Sequence, residues 1–384
     1  MMKRRFVFVM KSILIVTFFG WVALFLSSCT TDDVRLMNIE DHDIMDIIFV
    51  KDIDEDILVG YSYLSDKLGV SHGVARIHES EIIYNLSMDD ILEDADDTRI
   101  IDIMVDELSV KVLLNGRTSS DSKIDILGLI DIEDDGNYVV IMETSISGIN
   151  RGYSGYTGII NKNHTYQIVY TKKNEVQDNE VHLLTPGVNQ DEFTDEILDI
   201  AREQEGNFIL IDAYYQQGYY MVYTHRDDQV GYYYDTSIDY IDENQERSIV
   251  YTSEHAALWS THDHDMLVLY MSEIDETLIL DPTDFNVLER LVIDNQSVDK
   301  RDVIFGHETV YFVNSYVGQE TSHQSLYYQY WLGIEGVHLM HQRPKLGEGE
   351  IFYHYETRLG TQVSYILLKG RQEAELVMSK IPVD

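Results

Sequence analysis

Past residue 44 the sequence breaks into short apolar runs separated by small and polar residues. Asp56-Ile57-Leu58-Val59-Gly60-Tyr61, Tyr138-Val139-Val140-Ile141-Met142, Tyr219-Tyr220-Met221-Val222-Tyr223 and Thr309-Val310-Tyr311-Phe312-Val313 are representative. Such runs are rich in β-branched residues and Tyr and end at Gly, Asn, Asp or Ser, which suits pleated, half-buried strands. The pattern predicts an all-β chain.

The runs also recur. Ile209, Ala257, Ile304 and Phe352 sit at like points of four of them, spaced by 48, 47 and 48 residues. From Ile304 one interval holds four predicted strands, at 302–306, 309–317, 326–332 and 336–341. A repeat of about 45 residues carrying four short strands is the signature of a β-propeller, whose blades cannot bury their faces alone. Upstream, Leu58, Ile100 and Val140 mark further starts, giving about seven four-stranded blades; six or eight also fit. The interval from Val140 to Ile209 is too long for one blade. Its surplus reads as an inserted amphipathic helix over 191–205, with Phe193, Ile197, Ile200 and Ala201 on one stripe, Arg202 in the last turn and Gly206 just beyond. Ile44–Val50 is predicted to join the C-terminal strands and close the ring, removing two exposed sheet edges.

Leu280-Asp281-Pro282-Thr283-Asp284-Phe285-Asn286-Val287-Leu288 resembles the outer hairpin of quinoprotein-like propellers, where a strand ends in Asp, turns through Thr and restarts at Val. Ile160-Asn161 to Thr165-Tyr166-Gln167-Ile168 is a looser copy. The tryptophan usual in that family is missing, so the resemblance implies the fold and no cofactor.

The N-terminus has a different character. Lys3, Arg4, Arg5 and Lys11 precede an apolar run from Ser12 to Leu26. At 1.5 Å per residue that run reaches about 22 Å, short of a hydrocarbon core of about 30 Å, so it reads as a secretory signal and not a permanent span. Leu26-Ser27-Ser28-Cys29 then resembles the lipobox of bacterial lipoproteins. The resemblance implies cleavage before Cys29, a diacylglycerol thioether on its sulfur and, in many bacteria, a further acyl chain on its amine. Two or three chains hold a protein on a bilayer without a spanning helix. Thr30, not Asp, follows Cys29, which by resemblance to known sorting rules permits transfer to an outer membrane where one exists. The expected division is a signal peptide over 1–28, an acylated start and polar tether over 29–43, and a propeller domain over 44–384.

Composition narrows the function. The chain has 384 residues, with 28 Lys+Arg against 68 Asp+Glu and a net charge of −40. Losing residues 1–28 removes four cations and no acid, which takes the charge to −44. So large an excess of acids over cations disfavours binding to nucleic acid, where cations must displace counterions, and an anionic bilayer would repel the chain, leaving the lipid to do the holding. A single Cys excludes a disulfide framework, a Cys-rich zinc site and a CxxC redox motif.

Candidate chemistry is sparse. Asp131-Ile132-Glu133-Asp134-Asp135-Gly136 has the early spacing of a calcium loop, with Asp131 and Asp135 as oxygen ligands, but Met142 stands where a bidentate Glu is needed. A hairpin turn at Asp135-Gly136 is the plainer reading. Asp52, Asp54 and Asp56 alternate too, with Ile57 in the glycine position. His255, His262, Asp263, His264 and Asp265 are the densest nitrogen and oxygen group, and His262 and His264 would point one way on a strand. The same stretch also reads as a polar turn, and no third ligand is identifiable. No nucleophile elbow, P-loop or HExxH occurs, and Gly347-Glu348-Gly349 lacks the third Gly of a dinucleotide fingerprint. Tyr214-Tyr215, Tyr219-Tyr220, Tyr232-Tyr233-Tyr234 and Tyr327-Tyr328 offer stacking faces for sugars or peptides, although ring packing between blades accounts for them as well. The expectation is a non-enzymatic binding or assembly module at a bacterial envelope, its partner an envelope protein or glycan. The alternative is an enzyme or receptor acting on envelope polymers at the channel mouth.

Overall fold

The structure is a computed structural model that describes strands from Val34 to Pro382. Residues 1–33 and several loops lie outside the described residues, and side-chain surroundings are described chiefly between 48 and 291. Strand β1 (Val34–Asn38) comes first. The first blade is β2 (Ile44–Ile53), β3 (Asp56–Ser65), β4 (Gly69–His78) and β5 (Glu81–Ser87). The second is β6 (Asp97–Asp106), β7 (Ser109–Arg117), β8 (Ile124–Ile132) and β9 (Tyr138–Ser147). The third is β10 (Thr157–Lys162), β11 (Thr165–Lys173), β12 (Asn179–Pro186) and β13 (Phe193–Ile200). The fourth is β14 (Asn207–Tyr215), β15 (Tyr219–Arg226), β16 (Tyr233–Ile241) and β17 (Arg247–Ser253). The fifth is β18 (Ala257–His262), β19 (Leu267–Met271), β20 (Glu276–Leu280) and β21 (Val287–Leu291).

Each of these five is an antiparallel meander in chain order, and the first strands β6, β10, β14 and β18 touch in succession around a central axis. That is a propeller. Two further four-stranded sheets are described in their backbone: β22 (Val303–Gly306), β23 (Thr309–Asn314), β24 (Leu326–Trp331) and β25 (Val337–Gln342) form one. The other joins β26 (Ile351–Glu356), β27 (Gln362–Lys369) and β28 (Glu375–Pro382) to β1, which pairs antiparallel with β28.

Among the described residues the core is divided into clusters that lie between blades. The middle strands of each blade are buried on both faces, so alternate residues feed two different seams. On β7, Val110, Val112 and Leu114 face the first blade and pack with Leu58 and Val74, while Leu113 faces the third and packs with Ile168. Phe208, Leu210 and Tyr223 meet Val169 and Val181 in the next seam, and Tyr214 and Val222 meet Leu267 and Leu269 in the one after. Burying one such side chain is worth about 1.5–3 kcal/mol, and every interior blade collects that on both sides.

Several expectations change. Five four-stranded blades have described packing, against the about seven expected from the repeat. The predicted helix at 191–205 is not there: Phe193–Ile200 is the outer strand β13, paired with β12, and residues 201–206 lie outside the described residues. Ile100, Ile209, Ala257, Ile304 and Phe352 do fall on first strands, whereas Leu58 lies on a second strand and Val140 on a fourth. Ile44–Val50 is part of the first strand of the first blade and does not pair with the C-terminal strands. The Leu280–Leu288 hairpin joins third and fourth strands as expected, but the looser copy at Ile160–Ile168 joins a first and a second.

Candidate functional site

Four first strands carry a bulge. The pairing skips Ile48 between Ile47 and Phe49, Ile101 between Ile100 and Asp102, Ile211 between Leu210 and Asp212, and Leu258 between Ala257 and Trp259. A bulge puts one extra residue into a strand, twists it and re-aims the next side chain. Here the extra residue is aliphatic every time.

Asp212, just after its bulge, is only 2% exposed. One carboxylate oxygen accepts the Ala213 N–H at 3.0 Å and the Tyr156 hydroxyl at 3.4 Å. The other accepts the Ser260 hydroxyl at 3.0 Å and the His262 Nδ1–H at 3.1 Å, both on β18 of the next blade. The His262 ring lies against Tyr214, centroids 4.5 Å apart. Tyr156 enters from the third blade, and its hydroxyl lies where a Cβ on Gly158 would stand, 2.5 Å away. Burial, then the charges of Asp212 and Asp102, push the Tyr156 hydroxyl well above its ordinary pKa. It stays a neutral donor.

Beside this hub, a cavity of about 180 Å³ opens between the fourth and fifth blades. Ile211, Leu258, Trp259, Tyr156 and Tyr233 form much of its wall. Trp259 is backed by Tyr270, stacked at 5.5 Å.

The residues singled out from sequence are placed as follows. His262 ends β18 and bonds Asp212, while His264 and Cys29 lie outside the described residues. Asp131 and Asp135 are not brought to one site: Asp131 sits 2.7 Å from the Lys111 ammonium, and Asp135 accepts from Asn137 within the turn between β8 and β9. Asp134 of the same turn accepts from Arg76, which also binds Asp56 at 2.5 Å. Gly136 adopts a φ of 86°, as a hairpin turn requires. Asp263 caps its own turn by accepting the Asp265 and Met266 N–H groups, and burial raises its pKa. Among the described residues no three His, Cys, Asp or Glu side chains are grouped to hold a metal ion. Tyr214, Tyr219 and Tyr223 are buried packing residues, whereas Tyr232 is 70% exposed and Tyr233 lines the cavity. Asp102, Tyr156, Asp212, Ser260 and Trp259 were not legible as a group. Their signal is a repeated Ile-Asp after an apolar residue, at Ile101-Asp102 and Ile211-Asp212.

The β-propeller domain of the Trilobed protease from Pyrococcus furiosus matches with a TM-score of 0.51 and 10% identity, over 90% of this chain and 96% of that one. It is described as having an open velcro topology, whereas here β1 pairs with β28. Pyrococcus horikoshii acylaminoacyl peptidase matches at 0.50 and 11% identity over 90% of this chain, which spans about half (52%) of that protein. The polysaccharide lyase Uly1 matches at 0.47 and 10% identity over 87% of this chain and 89% of that one. The first two establish the propeller fold and say nothing of chemistry, and the third adds no argument. No family model and no curated protein matches the sequence.

Proposed function

We propose that the chain is exported, cut before Cys29 and held on a bacterial membrane by lipid on that sulfur, with its propeller acting there as a non-enzymatic binding module. The anchor rests on the cationic head, the short apolar run and Leu26-Ser27-Ser28-Cys29. We read the two backbone-described sheets as completing a ring of seven blades with the five. One observation supports binding over catalysis. The two carboxylates that follow first-strand bulges are engaged in holding blades together: Asp102 accepts the N–H groups of Ile103 and Ile159, and Asp212 accepts from Ala213, Tyr156, Ser260 and His262. A carboxylate so occupied is not poised to exchange a proton with a substrate. What stays open is a cavity walled by aliphatic and aromatic side chains, the ordinary form of a ligand site.

Metabolic labelling with a palmitate analogue tests the anchor. Label and membrane sedimentation in wild type, both lost in Cys29→Ala, support it; equal label in both, or an uncut chain in the cytosol, refutes it.

The Asp212–His262 pair favours a second reading. A carboxylate that fixes Nδ1 leaves Nε2 of a part-exposed ring as a base, and such a site would act on a glycan or other envelope polymer. Turnover of a polymer by wild type and its loss in His262→Gln would establish this reading in place of the first.

A further inference from the structure

We propose that the cavity between the fourth and fifth blades takes one aromatic ring bearing a hydrogen-bonding group, either as a free small molecule or as a side chain of a bound peptide. The inference deepens the binding-module reading and rests on it.

The cavity is a consequence of two bulges in register. Pairing of β14 with β15 skips Ile211, and pairing of β18 with β19 skips Leu258. These two first strands touch, so the skipped residues fall side by side, and both line the cavity. A bulge takes its extra residue out of the ladder. The main chain at Ile211 and Leu258 therefore adds polar groups, beside the Thr224 side chain, to a wall made mostly of aliphatic and aromatic residues, which matches an apolar ring with one polar substituent.

Size and walls agree with that choice. An apolar cavity of about 150 Å³ accommodates benzene, so about 180 Å³ suits one ring with a small substituent and excludes a disaccharide. Tyr156, Tyr233 and Trp259 supply faces and edges for aromatic contacts. Trp259 is fixed by its stacking on Tyr270, and the Tyr156 hydroxyl is tied to Asp212, so two walls are pre-formed and little ordering is left to the ligand. Net charge then selects among rings: at −40 the protein's field disfavours anions and favours neutral or cationic ligands.

The test is calorimetric titration of the full-length chain with p-cresol, tyramine, 4-hydroxyphenylacetate and an end-blocked Gly-Tyr-Gly peptide. Leu258→Trp fills the cavity from a position that is 47% exposed in the native chain, so the fold is not asked to absorb it. The proposal expects saturable binding at millimolar concentrations or below, tyramine and p-cresol ahead of the anionic 4-hydroxyphenylacetate. It expects at least about tenfold weaker binding in Leu258→Trp, at an unchanged melting temperature. Should that variant melt early, Tyr233→Ala, which opens the wall instead, should weaken the same ligands. Peptide binding as tight as p-cresol identifies the source as a side chain, and binding of the free phenols alone identifies a small molecule. No saturable binding by folded wild type, or equal binding in both variants, overturns the site. Either result leaves the Cys29 labelling outcome untouched, and a failed labelling experiment leaves ring binding untouched.

Discussion

Asp102 and Asp212 occupy the same place in two blades: each follows the bulge of its first strand, accepts the next residue's N–H and reaches into the neighbouring blade. Asp102 takes the Ile103 N–H and the Ile159 N–H, both at 2.8 Å. Asp212 takes the Ala213 N–H and, across the seam, the Ser260 hydroxyl, both at 3.0 Å. The apolar seams are non-directional and set no register between blades by themselves. A buried carboxylate with fixed donors on both sides does set it.

Breaking the two ties should cost different amounts. Asp212→Ala leaves the fully buried Ser260 hydroxyl without its acceptor and should lower stability by about 2–3 kcal/mol. Asp102→Ala frees two main-chain donors in a half-buried setting and should cost about 1–2 kcal/mol. Urea denaturation reads both as lower midpoints at constant slope. Losses within about 0.5 kcal/mol of zero would show that the carboxylates do not join the blades.

Gly158→Ala should also destabilise, by about 1–3 kcal/mol, because the new methyl meets the Tyr156 hydroxyl at 2.5 Å. Removing that hydroxyl relieves the shortest contact. The double variant with Tyr156→Phe should therefore lose less than the sum of the singles, and strict additivity would place the conflict elsewhere.

Buried phenols should make the fold fail in alkali. Burial pushes Tyr61, Tyr84 and Tyr270 up to about 12, and Tyr156, Tyr170 and Tyr214 are also raised. Unfolded tyrosine ionises near 10. With folded values above unfolded ones, the neutral phenols contribute stability that is complete below about pH 10 and is lost as pH rises through about 12. Tyrosinate absorbance and circular dichroism followed together should show a late, cooperative rise in ionisation that coincides with loss of sheet signal. Smooth ionisation of all 27 tyrosines near pH 10 in a chain that stays folded would contradict this.

Calcium should leave the melting temperature where it is. Asp131 is engaged by Lys111, Asp134 by Arg76 and Asp135 by Asn137, so three acids of the segment that looked like a calcium loop already have partners within the protein. A saturable rise in melting temperature with millimolar calcium would show otherwise.

The repeat was readable where the blades follow one another without interruption. Ile209, Ala257, Ile304 and Phe352 land on first strands because each interval between them holds one complete set of four strands. Leu58 misled because the second strand of the first blade, buried on both faces, carries a strand-like run of its own, while Ile44–Val50 reads equally well as a closing strand. The false helix has a definite cause. Pairing of β13 with β12 skips Leu198 between Ile197 and Asp199, and this bulge breaks the two-residue alternation that marks a strand. It leaves Phe193, Ile197 and Ile200 at spacings that mimic a helical stripe. Bulges also hid the site, since Asp102 and Asp212 are two acids among 68 until the bulges place them in one position of the repeat.

We propose that an acyl chain on Cys29 carries this propeller on a membrane. Mass spectrometry of the N-terminal peptide from membrane-extracted protein tests it most directly. The account predicts a peptide that starts at Cys29 and bears the added mass of a diacylglycerol thioether. A peptide that starts at Met1, or one that contains an unmodified Cys29, would contradict it.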